Sequence, residues 1–154
     1  MTRLWRVCDA RYAESALSGE GAFRYPGRWN QRGVFMVYAA TSASLAILEY
    51  LVNVDRENAP SHLSLVELRV PGKIETIPER DIPVDWNAMP APASTQAYGT
   101  TWVKSSTSLG LTVPSVVIPT RAEMDVLLNA MHPHMKRVET ISTIAFSMDD
   151  RLLS

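Results

Sequence analysis

Residues 34–53, VFMVYAATSASLAILEYLVN, predict a strand, a helix cap and a helix in immediate succession. Val34–Ala40 is apolar and rich in β-branched and aromatic side chains, which is typical of a buried strand. The next segment, Thr41–Ser44, contains hydroxyl side chains of the kind that cap helix N-termini. The helix that follows runs to Asn53 and carries one apolar stripe. The members of this stripe are Leu45, Leu48, Leu51 and Val52.

Glu49 lies beside this stripe, four residues after Leu45 and three before Val52. Residues at these spacings share one side of a helix, so the carboxylate lies close to the apolar face. A carboxylate beside a buried face costs free energy unless it has a partner or a chemical role. Glu49 is therefore the first candidate functional residue.

On either side of this segment, the sequence predicts further strands and helices. The predicted strands are Leu4–Val7, Leu63–Val70, Leu111–Ile118 and Thr140–Phe146. The predicted helices are Tyr12–Leu17 and Thr95–Ser106, with Gly99 a weak point, and Glu123–Asn129 is predicted as a short helix or turn. Residues 71–94 are rich in proline and predict a long irregular connection. Pro114 predicts an edge or a bulge in its strand, which can re-aim the side chain of Ser115.

Length, charge and cysteine content limit the class of protein. A chain of 154 residues is one domain's worth, so residues 1–154 are predicted to form a single domain. Fifteen basic and sixteen acidic residues give a net charge of -1, which excludes a protein that coats nucleic acid by bulk charge. Cys8 is the only cysteine, which excludes a disulfide framework and predicts a buried structural thiol. No secretory signal and no membrane-spanning run are found, so we expect a soluble, cytoplasmic protein.

Arginine dominates the basic residues, and it is concentrated near the start of the chain. Twelve arginines accompany three lysines, and six of the twelve fall within residues 1–32. The planar guanidinium binds phosphate or carboxylate through two parallel hydrogen bonds, so a phosphorylated ligand is one interpretation. The other interpretation is that these arginines form surface ion pairs with the acids of the segment Asp55–Asp85.

Common catalytic motifs give little support to other enzyme classes. The chain has no GxGxxG fingerprint, no phosphate-binding GxxxxGK[ST] loop and no GxSxG elbow. His132 and His134 stand two apart without a third histidine nearby, which favours a polar surface turn over a metal site. We therefore expect no metal.

An ordered series of short motifs gives a more specific indication. It combines Gly27-Arg28-Trp29-Asn30, Tyr38 on its strand, Glu49 on the following helix and Ser115 after Pro114. In this series the chain resembles the RES-domain toxins of the bacterial RES–Xre toxin–antitoxin modules, along essentially its whole length. The matching stretches are residues 16–22, 27–30, 37–40, 46–52, 95–99 and 113–115, followed by Leu128-Asn129 and His132-Pro133. The chain departs from the family at Ala130, where a proline is usual, and at Met135, where an aromatic residue is usual.

The resemblance implies a fold, an activity and a partner. It implies an α+β domain similar to ADP-ribosyltransferase toxins, with central β-sheets and flanking helices. It implies that NAD is a substrate, cleaved by hydrolysis or phosphorolysis, with no cofactor; transfer of ADP-ribose to a protein target is the alternative. It also implies an Xre-type antitoxin, encoded alongside, that blocks the active site in a hetero-oligomer and provides the only contact with DNA. A catalytically inactive module that only binds antitoxin is an alternative of a different class.

The resemblance also assigns roles to individual residues. Glu49 would stabilise the positive charge that develops on the ribose, and Arg28 would clamp the pyrophosphate or a ribose. Tyr38 would stack on a ring of the substrate, although a core tyrosine is the alternative. Ser115 would donate to or accept from a phosphate or amide, the alternative being a cap on backbone groups. Trp29 and Asn30 would complete the NAD-binding set.

Overall fold

A computed structural model describes residues 1–153 and gives seven strands and four α-helices over that range. The strands are β1 (Thr2–Asp9), β2 (Met36–Ala40), β3 (Leu63–Val70), β4 (Ile74–Thr76), β5 (Gly110–Pro114), β6 (Met124–Asn129) and β7 (Glu139–Phe146). The helices are α1 (Glu20–Arg24), α2 (Ala43–Asn53), α3 (Ala93–Ser105) and α4 (Asp150–Leu153). Short 3-10 helices cover Ala10–Ser15, Arg56–Asn58, Glu79–Asp81 and Pro133–Arg137.

The seven strands form one mixed sheet in the order β4-β5-β6-β2-β1-β3-β7. Strands β4 and β5 are parallel, and all other neighbours are antiparallel. The two halves of the sheet meet at a single pair of residues, Trp5 of β1 and Ala40 of β2, whereas β1 pairs with β3 along its whole length. The predicted α+β class is confirmed.

Alternation along β2 separates two cores. Val37 and Ala39 point to one side of the sheet, where they pack with Leu4, Cys8 and residues that follow β1. Tyr38 and Ala40 point to the other side, which α2 and α3 cover. Cys8 is 8% exposed and has a free thiol, so the predicted buried structural cysteine is confirmed.

Most predicted elements are present, and four differ. Residues 71–94 were predicted as an irregular connection but contain the three-residue strand β4, which pairs with β5, and the 3-10 helix Glu79–Asp81. Glu123–Asn129 was predicted as a short helix or turn but contains the central strand β6; its run of apolar residues lacks alternation because both sides of this strand are buried. The strand predicted over Leu111–Ile118 ends at Pro114, which has no N–H to continue the ladder. Tyr12–Leu17 was predicted as a helix, but a 3-10 helix covers Ala10–Ser15 instead.

The longest helix is α3, with 13 residues. Across residues 1–153, no helix combines the length and apolar character needed to cross a membrane.

Candidate active site

Glu49 is positioned by the start of α2 and by the packing of that helix on the sheet. The Ser42 hydroxyl accepts a hydrogen bond from the Leu45 N–H at 3.0 Å, which confirms the predicted cap. Leu45 and Ala46 are buried against Ala40 of β2. Glu49, one turn further along, is partly buried and faces the ends of β5 and β6.

Ser115 binds the Glu49 carboxylate directly. Its hydroxyl donates to Glu49 Oε1 at 2.6 Å and accepts the N–H groups of Val117 and Ile118, each at 3.1 Å. Because both amides point at the Ser115 oxygen, its proton is directed to Glu49. Ser115 is 0% exposed, so the hydroxyl orients the carboxylate and caps backbone groups at the same time.

A second carboxyl group, that of Asp125 on β6, lies within hydrogen-bonding reach of the Glu49 carboxylate. Burial, the hydrogen bond with Glu49 and the Glu49 charge, in that order of size, together raise the pKa of Asp125 to about 9. The sequence analysis missed this residue, because its segment was assigned to a helix or turn.

Tyr38 holds the Gly27–Asn30 turn together. Its hydroxyl donates to Asn30 Oδ1 at 2.6 Å and accepts the Trp29 N–H at 3.0 Å. Asn30 Oδ1 also accepts the Gly27 N–H at 2.9 Å, which closes the turn. Burial raises the pKa of the Tyr38 phenol above its usual value, so the hydroxyl keeps its proton.

Trp29 and Asn30 lie inside the turn and are exposed by only 2% and 0%. The Asn30 amide nitrogen donates to the Ala22 and Gln31 carbonyls at 2.8 and 3.0 Å, so both polar atoms of its side chain are hydrogen-bonded. These contacts give both residues a part in shaping the turn. Their direct contact with a substrate stays a prediction, as does stacking by Tyr38.

Helix α3 also contacts the Gly27–Asn30 turn and holds its backbone in place. Thr95 Oγ1 donates to the Arg28 carbonyl at 2.6 Å, and Gln96 Nε2 donates to the Gly27 carbonyl at 3.1 Å. A Cβ at Gly99 would lie 1.8 Å from the Trp29 carbonyl oxygen. Gly99, which the sequence marks as a weak point in the helix, thus permits α3 to contact the turn backbone.

The Arg28 side chain extends from this turn to the segment before α3. Its Nη1 donates to the carbonyls of Trp86 and Ala88 at 2.9 and 2.7 Å, and its Nη2 contacts Met89 Sδ at 2.8 Å. Within the described residues, Arg28 forms no ion pair, so its contacts leave the positive charge without a neutralising carboxylate.

The other N-terminal arginines do not follow one pattern. Arg3 pairs with Glu67 at 3.2 Å, which agrees with the surface ion-pair interpretation, whereas Arg11 pairs locally with Asp9 at 2.7 Å. Arg6 donates to the Tyr38 carbonyl at 2.9 Å, and burial lowers its pKa. Neither interpretation of the arginine excess therefore covers all of these residues.

The histidine pair is part of a turn. His132 Nδ1 accepts the His134 N–H at 3.0 Å at the start of a 3-10 helix, which agrees with the polar turn expected there. In the part of the chain that the structure describes, no three His, Cys, Asp or Glu residues are grouped to hold a metal ion.

The side chains described above place charges of opposite sign at two ends of the candidate site, Glu49 at one end and Arg28 at the other. Tyr38 connects the two ends: its hydroxyl binds the turn that carries Arg28, and its side chain lies on the same side of β2 as Ala40, which pairs with Asp125. One end presents the carboxylate of Glu49, held by Ser115 and Asp125, and the other presents the guanidinium of Arg28. Such a site suits a ligand that carries separated positive and negative groups.

Comparisons with known proteins agree with one family. A sequence profile of the RES domain matches residues 3–149. "Toxin Res" of Yersinia enterocolitica is 38% identical over 151 residues, which cover 97% of this chain and 98% of that protein. "Prs ADP-ribosylating toxin" of Sphingobium sp. is 37% identical over 158 residues, covering 99% and 97%.

A solved structure agrees on the fold. A chain in the M. tuberculosis MbcT–MbcA toxin–antitoxin complex superposes with a TM-score of 0.74, covering 95% of this chain and 84% of that one. The two sequences are 18% identical, so this likeness concerns the fold alone.

Proposed function

The chain belongs to the RES-domain family, and we propose that it is the toxin of a bacterial toxin–antitoxin pair that cleaves NAD at the nicotinamide–ribose bond. The observation that carries this proposal is the Glu49 carboxylate, which accepts a hydrogen bond from the buried Ser115 hydroxyl at 2.6 Å. Two relatives with nearly full coverage are named as toxins, and one of them as ADP-ribosylating, which supports both parts of the proposal.

The nicotinamide–ribose bond of NAD determines what Glu49 has to do in the reaction. The carbon–nitrogen bond breaks with its electron pair leaving on the pyridine nitrogen, so neutral nicotinamide departs and positive charge develops on the ribose. This transition state resembles the oxocarbenium ion of glycoside cleavage. A carboxylate fixed beside the ribose stabilises that charge more than it stabilises the bound substrate, which accelerates the reaction. Water or phosphate then adds to the ribose carbon and releases a proton.

Arg28 is proposed to bind the pyrophosphate of NAD. In the structure its guanidinium donates to the neutral carbonyls of Trp86 and Ala88. Exchanging these acceptors for a phosphate oxygen forms a charge-assisted hydrogen bond, which is stronger than a bond to a neutral acceptor. Tyr38 supports this contact by holding the turn from which Arg28 extends.

The acceptor distinguishes two versions of this activity. Hydrolysis or phosphorolysis needs only a small molecule beside the ribose carbon. Transfer of ADP-ribose to a protein is the second candidate, and the name of the Sphingobium relative supports it. In either version the toxin is held inactive by a cognate antitoxin, for which we propose the Xre type in a hetero-oligomer that contacts DNA only through the antitoxin.

Product analysis separates these possibilities. The purified chain is incubated with NAD in three arms, with buffer alone, with inorganic phosphate and with a cytosolic protein extract, and the products are identified by mass spectrometry. Hydrolysis gives nicotinamide and ADP-ribose, phosphorolysis gives ADP-ribose phosphorylated at the ribose carbon, and transfer gives ADP-ribose linked to protein. Intact NAD in all three arms, with folded protein, would reject the enzymatic proposal in favour of an inactive antitoxin-binding module.

A further inference from the structure

Asp125 lies where the sheet directs its side chain toward α2. Strand β6 runs between β2 and β5, and its register places Asp125 opposite Ala40 on one side and Val113 on the other. Ala40 is 1% exposed and Val113 0%, so this part of the sheet is covered. Ala40 packs against the first turn of α2, and Glu49 follows one turn later.

Two carboxyl groups that share a hydrogen bond need a proton between them. An ionised carboxylate only accepts hydrogen bonds, so either Glu49 or Asp125 must act as the donor. Glu49 already accepts the Ser115 hydroxyl. Among residues 1–153, no other side chain or backbone N–H donates to the Asp125 carboxyl, so a negative charge is better stabilised on Glu49 than on Asp125.

We propose that Asp125 is a positioning residue that keeps its proton and donates it to Glu49, so that two hydroxyl groups, from Ser115 and Asp125, orient one carboxylate. This inference rests on the proposed function, since it concerns how Glu49 is presented to the ribose. Glu49 keeps the negative charge that the reaction needs, and the neighbouring acid does not repel it. The sequence assigns Asp125 no such role, because an acidic residue ordinarily carries its own charge near pH 7.

The pair has a defined response to pH. The groups that face Asp125 are Glu49 from α2, Tyr38 from β2 and Ser115 after β5. The buried Tyr38 phenol has a raised pKa and the Ser115 hydroxyl does not ionise in water, so neither loses a proton near pH 9. Asp125, with a pKa of about 9, does. Above that pH the hydrogen bond to Glu49 is lost and two adjacent negative charges repel, so activity falls as pH rises through about 9.

Two substitutions separate the hydrogen bond from the charge. Asp125→Asn keeps a donor for Glu49 but cannot ionise, whereas Asp125→Ala removes the donor. We expect Asp125→Asn to retain at least about tenfold more activity at pH 7.5 than Asp125→Ala, since a hydrogen bond to a charged group is at stake. We also expect Asp125→Asn to lack the fall in activity above pH 9, after subtraction of the enzyme-free rate. The exposed Asp150→Asn serves as the matched control and should keep the wild-type profile.

Infrared difference spectroscopy tests the proton without requiring turnover. Wild type minus Asp125→Asn at pH 7 should show the carbonyl band of a protonated carboxylic acid, and the band should vanish as the pH rises above about 9. The absence of this band at pH 7 would overturn the inference, even if the chain cleaves NAD. Equal loss of activity in the Asn and Ala variants, or an Asn variant that keeps the alkaline fall, would also overturn it. Because the band is measured without NAD, it still tests the protonation of Asp125 if the chain proves not to cleave NAD.

Discussion

Replacing Tyr38 with phenylalanine removes one hydroxyl and keeps the ring. The hydroxyl accepts the Trp29 N–H and donates to Asn30 Oδ1. Asn30 Oδ1 keeps its second donor, the Gly27 N–H at 2.9 Å, so it remains satisfied. The Trp29 N–H loses its only hydrogen bond, within a residue that is 2% exposed.

The loss of stability in Tyr38→Phe can be estimated from the Trp29 N–H, which is left without a hydrogen-bond partner. A buried donor left without a partner costs about 1–3 kcal/mol in the free energy of unfolding. For a domain of this length, that lowers the melting temperature by roughly 3–10 °C. The loosened turn carries Arg28, so we expect the KM for NAD to rise several-fold with a smaller change in kcat.

Thermal unfolding by circular dichroism and nicotinamide release kinetics measure the two effects. Tyr98→Phe is the matched control, because its hydroxyl makes one long, exposed hydrogen bond of 3.3 Å to Asp81; we expect a change within about 0.5 kcal/mol. If Tyr38→Phe melts at the same temperature as the control and keeps the wild-type KM, the hydroxyl does not hold the turn. Stacking of the ring on a substrate would then be the better account of Tyr38.

The remaining predictions concern three other contacts. Gly99→Ala should lower the melting temperature and raise the KM for NAD, because its Cβ would meet the Trp29 carbonyl and push α3 off the turn; an unchanged melting curve would contradict that close approach. Arg28→Lys should raise the KM for NAD, because lysine keeps the charge but loses the fork, and unchanged kinetics would remove Arg28 from the substrate site. Asp125→Asn should melt above wild type by a margin that grows from pH 4 to pH 9, as measured by calorimetry. Folding raises the Asp125 pKa from 3.8 to about 9, so between these pH values the unfolded wild-type chain has lost a proton that the folded chain keeps. Rising pH therefore lowers the stability of the wild type through this group, which the Asn variant lacks. A difference in melting temperature that shrinks as pH rises would contradict the raised pKa.

Local pattern was sufficient for the helix that carries Glu49. The preceding strand and the helix both lie within residues 34–53, so short-range periodicity predicted β2, a cap in Thr41–Ser44 and α2. One member of the predicted apolar stripe was wrong, because Val52 is 58% exposed. Pro114 was predicted to mark an edge or a bulge, but β5 lies between β4 and β6 and pairs in regular register up to Pro114, where the strand ends. The strand β2, the cap and α2 depend on neighbours in the sequence, which is why they were predictable.

Long-range contacts were not predictable in the same way. Asp125 was missed because β6 is a central strand with both sides buried, so its sequence has no alternation to reveal it. Arg28 reaches the carbonyls of Trp86 and Ala88, 58 and 60 residues away, across a segment predicted only as irregular. The same holds for Tyr38, whose hydroxyl bonds to the turn are fixed by tertiary packing.

The central claim is that the Glu49 carboxylate stabilises positive charge on the ribose of NAD. Glu49→Gln keeps the shape of the side chain and removes its charge, and the exposed Glu57→Gln makes the same chemical change away from the site. Nicotinamide release from NAD, measured under saturating substrate, should fall by about a hundred- to a thousandfold in Glu49→Gln and stay at the wild-type rate in Glu57→Gln. A Glu49→Gln rate within a few-fold of wild type, with the variant folded, would contradict the claim.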